Sequence, residues 1–269
     1  MGQRFDKLRK SIAISDLGFV ASITTVLSIL FILIPNEVTM FSKILMIIII
    51  ILFSVAIVIA INYLSKSKII KLPKGKIINI KIGNILDEND IAIIPVNRNF
   101  DTIVDDRIIS RCSVHGQFIE KYFKDNIVEL DRQIDESLEG IGFEPVQRNV
   151  GKTKLYPVGT TAIVTSNEKK FYMLALTTFD ESNVSNCSVS DYYLSISRLL
   201  EFIDRNSQGY PVCMPIIGGG LSRIRVDEKK DLIETLISMI KVFGFEIPSK
   251  ISIIVYEEDA KSMIIRHLD

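Results

Sequence analysis

The 269 residues carry 32 Lys+Arg against 32 Asp+Glu, and are 24% charged yet 48% hydrophobic, with a mean hydropathy of +0.30. So charged a chain reaches a positive mean only if its apolar residues are segregated, and between Gly18 and Leu64 the only charges are Glu37 and Lys43. This excludes disordered, collagen-like, coiled-coil and disulfide-scaffold classes, and predicts a membrane-embedded segment followed by a soluble domain.

After a short N-terminal segment (1–16), two uncharged runs follow at 17–34 and 44–64. As helices they would be roughly 27 and 31 Å long, close to the hydrocarbon thickness of a bilayer. Arg4, Lys7, Arg9 and Lys10 precede the first run, Lys66, Lys68, Lys71, Lys74 and Lys76 follow the second, and only Lys43 lies between. The positive-inside rule then predicts a two-helix hairpin in the inner membrane with both termini cytoplasmic. Ser22, Thr25 and Ser28 share roughly one side of the first run with Ala21 and Thr24 nearby. Such a stripe reads either as hydroxyls bonded back to their own helix or as a self-association face. Two helices cannot enclose a pore, so any membrane activity needs a homo-oligomer.

Residues 65–76 read as a basic linker at the lipid surface. From residue 77 to 269 there are 22 Lys+Arg against 29 Asp+Glu, which argues against a nucleic-acid partner. Cys112, Cys187 and Cys213 show no metal-ligand spacing and suit a reducing compartment. Strands are expected at 77–82, 91–95, 155–157, 161–166, 171–177, 212–216 and 251–256. Helices are expected at 107–123, 126–138, 191–204, 227–243 (capped by Gly244) and 259–268. This alternation predicts an α/β domain, a mixed sheet flanked by helices, with its ligand site at the carboxyl ends of the strands.

Four places carry chemistry. Pro215-Ile216-Ile217-Gly218-Gly219-Gly220-Leu221-Ser222 joins an apolar strand to a charged helix, and reads as a phosphate cradle or a plain flexible turn. Val96-Asn97-Arg98-Asn99-Phe100-Asp101-Thr102, running on to Asp105 and Asp106, crowds amides and carboxylates after another strand, as a sugar site or an ordinary polar turn would. Gly83-Asn84-Ile85 ends the first strand, and His115-Gly116-Gln117 lies in or just before a helix.

In this order these motifs resemble the macro domain, an ADP-ribose-binding fold. Gly83-Asn84-Ile85-Leu86 resembles its Gly-Asp-Ile-Thr turn at adenine, with Asn84 in place of the Asp. Val96-Asn97-Arg98-Asn99 resembles its Asn-Ala-Ala-Asn segment at the distal ribose. Tyr156-Pro-Val-Gly159-Thr160-Thr161-Ala162 is similar to its central glycine segment, and Ile217–Ser222 occupies the place of its phosphate loop. The family's glycine-rich loop is replaced by Phe100–Asp106, which argues for binding without hydrolysis. Two spans ahead of such a domain resemble the membrane-anchored macro effectors of type II Thoeris antiphage defence. That resemblance implies a TIR-domain partner that makes histidine–ADP-ribose, a nucleotide signal which the macro domain senses, and then oligomerisation and membrane damage. It implies that Asn84, Asn97, Asn99, Asp101 and Gly218–Ser222 hold ADP-ribose, with the acidic loop (Asp105, Asp106) and His115 at the variable end of the signal. A membrane-tethered ADP-ribosyl hydrolase and a passive reader of ADP-ribosylated partners are the alternative functions.

Overall fold

A computed structural model describes residue 25 and residues 39–64, 67–72, 76–179, 185–220, 224, 229–243 and 247–260. The expected N-terminal segment and the first expected span lie outside these residues, apart from Thr25. The chain divides into two compact units near residue 66.

In the first unit, helix α1 runs Met40–Leu64, 25 residues, and contains the second expected run. Its window Met40–Ile57 has a mean hydropathy of 2.7, long and apolar enough to cross a membrane. It is the one such helix among the described residues. Phe41, Leu52 and Phe53 present more than half of their surface, so they are not part of a protein core.

The second unit is a mixed sheet with helices on its faces. In chain order its elements are β1 (Ser67–Lys71), β2 (Ile77–Ile82), β3 (Ile91–Asn97), α2 (Val114–Tyr122), α3 (Ile127–Ser137), β4 (Glu144–Pro145), β5 (Lys154–Leu155), β6 (Thr161–Ser166), β7 (Lys169–Phe179), β8 (Ser185–Asn186), α4 (Val189–Asn206), β9 (Val212–Pro215), α5 (Lys229–Phe243), β10 (Ile251–Val255) and α6 (Glu257–Ala260). The strand order is β1-β2-β10-β9-β3-β7-β6. The five inner strands β2, β10, β9, β3 and β7 are parallel, while β1 and β6 flank them antiparallel. A parallel strand covered on both faces needs an unbroken apolar run rather than alternation. Ile251-Ser252-Ile253-Ile254-Val255 is such a run apart from Ser252, and is buried at every position.

One face of the sheet packs Ala92, Ile94, Val96 and Phe171 against Phe118, Ile119, Leu130 and Ile134 of α2 and α3. Phe118 stands at the centre, its ring 4.8 Å from that of Phe171 and 5.4 Å from that of Phe123. The opposite face carries the alternate residues. There the Tyr172 hydroxyl donates to the carbonyl of Asn206 at 2.9 Å, and its ring meets Phe202 edge-on. Tyr192, Ile196, Leu199 and Leu200 of α4 and Leu232, Ile233, Leu236 and Ile237 of α5 are buried.

Three expectations are corrected. The described part of the basic linker is not a tether but the edge strand β1, paired with β2 from Ser67↔Lys81 to Lys71↔Ile77. Its lysines suit an edge, where charge discourages further strand pairing. The helix expected over 107–123 begins only at Val114, because the carboxylates of Asp105 and Asp106 capture the amides of residues 107, 108 and 111. The last expected helix starts earlier, at Glu257, and its residues beyond 260 lie outside those described, as does Gly244. Phe118→Ala is expected to cost about 3–5 kcal/mol of stability, read as a lowered urea midpoint at unchanged slope.

Candidate functional site

Parallel pairing sends the carboxyl ends of five strands to one edge of the sheet, and a cleft of about 370 Å³ opens there. Gly83, Asn84, Ile85 and Leu86 follow β2 at one side, with Ile254 and Tyr256 of the β10 end. Pro215, Ile216 and Gly218–Gly220 follow β9 in the middle. Pro95, Val96 and Asn97 of β3, then Leu176, Thr177 and Phe179 of β7, form the other side with Ser185. Ile108–Ser110, Cys112–His115 and Gln117 make a wall, and Lys229, Glu258 and Asp259 complete the lining.

Each wall is held by local bonds. Asn84 Oδ1 accepts from the Leu86 amide at 3.0 Å, closing the turn after β2. The Leu86 carbonyl accepts from the Tyr122 hydroxyl at 2.7 Å and from Lys169 Nζ at 3.0 Å, which ties that turn to α2 and β7. β3 bulges between Val96 and Asn97. Asn97 Oδ1 accepts from the amides of Asn99 and Asp101 at 3.1 and 3.2 Å, so the side chain that lines the cleft also folds the turn behind it. In the glycine turn, the Gly219 amide donates to the Ile216 carbonyl at 3.0 Å. Gly218 has φ +85°, and a Cβ there would lie 2.2 Å from Ile224 Cδ1. The left-handed backbone is what favours glycine there, since the Ile224 methyl is the far end of a side chain that can move aside.

The wall at 108–113 leans on the start of α2. Ser113 Oγ accepts from the Gly116 amide at 3.0 Å and donates to the Ser110 carbonyl at 2.7 Å. A Cβ on Gly116 would come within 2.2 Å of that same carbonyl. Glycine therefore lets the loop lie directly on the helix.

Several expected ligand contacts have other partners. Asn99 is buried, its Nδ2 donating to the Lys154 carbonyl at 3.0 Å. Asp101, fully buried, pairs with Arg148 Nη1 at 2.8 Å and accepts from the Lys152 amide at 2.6 Å. Thr102 Oγ1 donates to Asp131 at 2.9 Å. Asp105 accepts from the amides of Arg107 and Ile108 at 2.9 and 2.7 Å. The Ile108 bond above all, then that of Arg107, holds its carboxyl below the usual range against a smaller opposing effect of burial. Asp106 accepts from the Arg111 amide at 2.8 Å and pairs with the Arg111 guanidinium. Gly159 and Thr160 continue the sheet bonding beside Ala175, and Ile217 is buried; none of the three lines the cleft. Leu221 and Ser222 lie outside the described residues. Gly83, Asn84, Ile85, Val96, Asn97, His115 and Gly218–Gly220 do meet at the cleft.

The residues that sequence reasoning did not single out are the 108–114 wall, the β7 end at Thr177 and Phe179, Lys229 and Tyr256. Thr177 and Phe179 were discoverable from the rule that ligands sit at carboxyl ends of parallel strands. Lys229 was discoverable as a basic residue in the first turn of the helix expected over 227–243, after the glycine turn. Its ammonium lies 2.5 Å from Asp259. Glycine amides with a lysine beside them form a cradle for an anion. Among the described residues no cluster of His, Cys, Asp or Glu has the makings of a metal site.

A family profile, Thoeris protein ThsA, Macro domain, matches residues 78–256. The chain belongs to this ThsA macro domain family. The Thoeris protein ThsA of Bacillus amyloliquefaciens (strain Y2) is 30% identical over 199 residues, covering 70% of this chain. The chain spans 65% of that relative's length. Two mutants of the Oceanobacillus iheyensis macrodomain are similar in fold. One aligns at TM-score 0.51 and 11% identity over 74% of this chain and 93% of its own. The other, solved with ADPR, aligns at 0.50 and 13% over 74% and 94%. The macro domain thus holds all of the cleft's strand ends and both glycine-dependent turns.

His115 is buried within this macro domain, and burial first, then the nearby charge of Lys152, pushes its imidazole down to about 3. A depressed folded value means that the unfolded chain takes up the proton first. The stability this neutral histidine contributes is therefore complete above pH 6.5 and lost as pH falls from there toward 3. At pH 5 the loss should be about 2 kcal/mol, and His115→Gln should flatten the stability profile between pH 6.5 and 5. Asp101→Asn should cost about 3–5 kcal/mol by stranding the buried Arg148 charge, read by thermal or urea unfolding.

Proposed function

We propose that this protein is a membrane effector of Thoeris-type antiphage immunity whose cytoplasmic macro domain binds an ADP-ribose-derived signal, histidine–ADP-ribose, and thereupon oligomerises and disrupts the inner membrane. The observation that carries the reading is that the ThsA macro domain match, 78–256, spans every strand end around the cleft. The likeness to a macrodomain solved with ADPR supports the ligand class. In this reading the adenosine lies toward Asn84 and Tyr256, the diphosphate over Gly218–Gly220 near Lys229, and the second ribose toward Asn97 and the 108–113 wall. Helix α1 supplies one span of a two-span anchor with both chain ends cytoplasmic, and a TIR-domain partner supplies the signal.

Binding proceeds without hydrolysis. The two carboxylates best placed in the sequence to serve as acid and base, Asp105 and Asp106, are engaged by amides of their own loop. The energetic demand on the switch is modest. A ligand at 100 times its Kd for the assembling state supplies about 2.7 kcal/mol per protomer, which multiplies across an oligomer.

Titration of the detergent-solubilised full chain with ADP-ribose, NAD and histidine–ADP-ribose tests the reading. The expected result is binding without turnover, growth of the particle on adding histidine–ADP-ribose, and dye release from vesicles containing the protein. Gly218→Val should weaken binding at least about tenfold by forcing a β-branched residue into a left-handed backbone and so reshaping the glycine turn. Failure of all three ligands to bind would overturn the reading, and released ADP-ribose would favour the hydrolase alternative.

A further inference from the structure

Two buried side-chain polar atoms in one corner, His115 Nε2 and Arg148 Nη2, lack a hydrogen bond among the described residues, while the nearby Lys152 Nζ is held by an ion pair. Buried polar atoms are nearly always bonded, so a cluster of exceptions calls for a partner. The corner is closely built. Arg148 Nη1 donates to Asp101 Oδ2 at 2.8 Å and to the Lys152 carbonyl at 3.1 Å, so one arm of the guanidinium fork is fixed and the other is unspent. Asp101 Oδ1 accepts from the Lys152 amide at 2.6 Å, and the Lys152 ammonium forms an ion pair with Asp131 at 2.6 Å. Between them Gly151 has φ +91°, and a Cβ there would strike Asp101 Oδ1 at 2.5 Å and Arg148 Cζ at 3.1 Å.

This corner adjoins the cleft at the end remote from Asn84 and Tyr256. His115 lines the cleft itself. The Arg148 guanidinium lies over the ring of Phe179, 5.3 Å from its centroid, and Phe179 lines the cleft at the β7 end. Strand order places β7 farthest of the five parallel strands from β2. The cleft therefore has two chemically distinct ends, one at the turn after β2 and one where His115 lines it and Arg148 lies against the lining residue Phe179.

We propose that Arg148 and His115 form an oxyanion subsite at the β7 end of the cleft, which takes a carboxylate carried by the ligand beyond its second ribose. This rests on the reading of the cleft as an ADP-ribose site, and deepens it by naming what distinguishes the signal from ADP-ribose itself. Arginine suits the task because its planar fork holds an anion with one nitrogen while the other remains on Asp101. The neutral imidazole contributes as the Nε2–H tautomer, a donor without a charge of its own. Asp101 then acts through Arg148, positioning the fork rather than touching the ligand.

The test compares three ligands on the full detergent-solubilised chain by calorimetry: ADP-ribose, histidine–ADP-ribose, and the histamine conjugate, which lacks only the carboxylate. The carboxylate-bearing conjugate should bind about tenfold or more tightly than the histamine conjugate, as a charge-assisted contact at a desolvated site would give. Arg148→Lys retains the positive charge opposite Asp101 but removes the second arm of the fork, and should cut that ratio to below about threefold. Equal affinity of the two conjugates for the unaltered protein would overturn the subsite, and this comparison does not depend on the variant folding. An unchanged ratio in Arg148→Lys would overturn it as well. If ADP-ribose binds and the conjugates do not differ, the subsite alone fails; if none of the three binds, the cleft reading fails with it.

Discussion

Parallel pairing of β2, β10, β9, β3 and β7 is the constraint on which the rest of this domain depends. Parallel neighbours point their carboxyl ends the same way and are joined by crossovers that bury both faces of the sheet. The turn after β2, the Asn97 bulge, the glycine turn after β9, Thr177 and Tyr256 are scattered over some 170 residues of sequence. They become neighbours only because five strands end along one edge. The central apolar runs, such as Ile251–Val255, are what make that arrangement stable, since covering helices exclude water from both sides.

The polar side chains behind the cleft serve mainly to shape backbone. Asn84 and Asn97 each accept amides of their own turns. Asp105 and Asp106 fold the segment that becomes the cleft wall, and Ser113 ends it by capping α2. The same economy explains the glycines. Gly116 and Gly218 sit where a methyl group would meet backbone or the Ile224 side chain at 2.2 Å. At Gly116 even a methyl group would displace the wall rather than merely fill space, whereas Gly83 and Gly220 have open space around them.

Against this background of satisfied groups, the corner at His115 and Arg148 differs in kind. It combines a neutral buried imidazole, a guanidinium with one arm committed to Asp101, and an aromatic ring shared with the cleft. Lys229 with Asp259 marks the cleft lining at the start of α5. The cleft thus presents different donors at different points along its length, a basis for reading a ligand that is itself chemically asymmetric.

The sequence by itself determined the segregation of apolar from charged residues near residue 65, an apolar helix over 44–64 that the structure extends back to Met40, and most strands, including β2 and β6 to the residue, because long apolar runs and periodicity are local signals. It also exposed the glycine turn and the Gly83-Asn84-Ile85 turn, since each follows an apolar strand directly. It misread Ser67–Lys71 as linker, because an edge strand needs only a partner, here β2, and carries little pattern of its own. It misread 107–113 as helix, because the amides there are taken by Asp105 and Asp106, a competition that amphipathic spacing does not register. Only tertiary structure decided that Asp101 faces Arg148 rather than a ligand, and that Arg148 lies over Phe179, which lines the same cleft as His115. Those residues lie up to 78 positions apart, from Asp101 to Phe179, and nothing but strand order and loop packing brings them together.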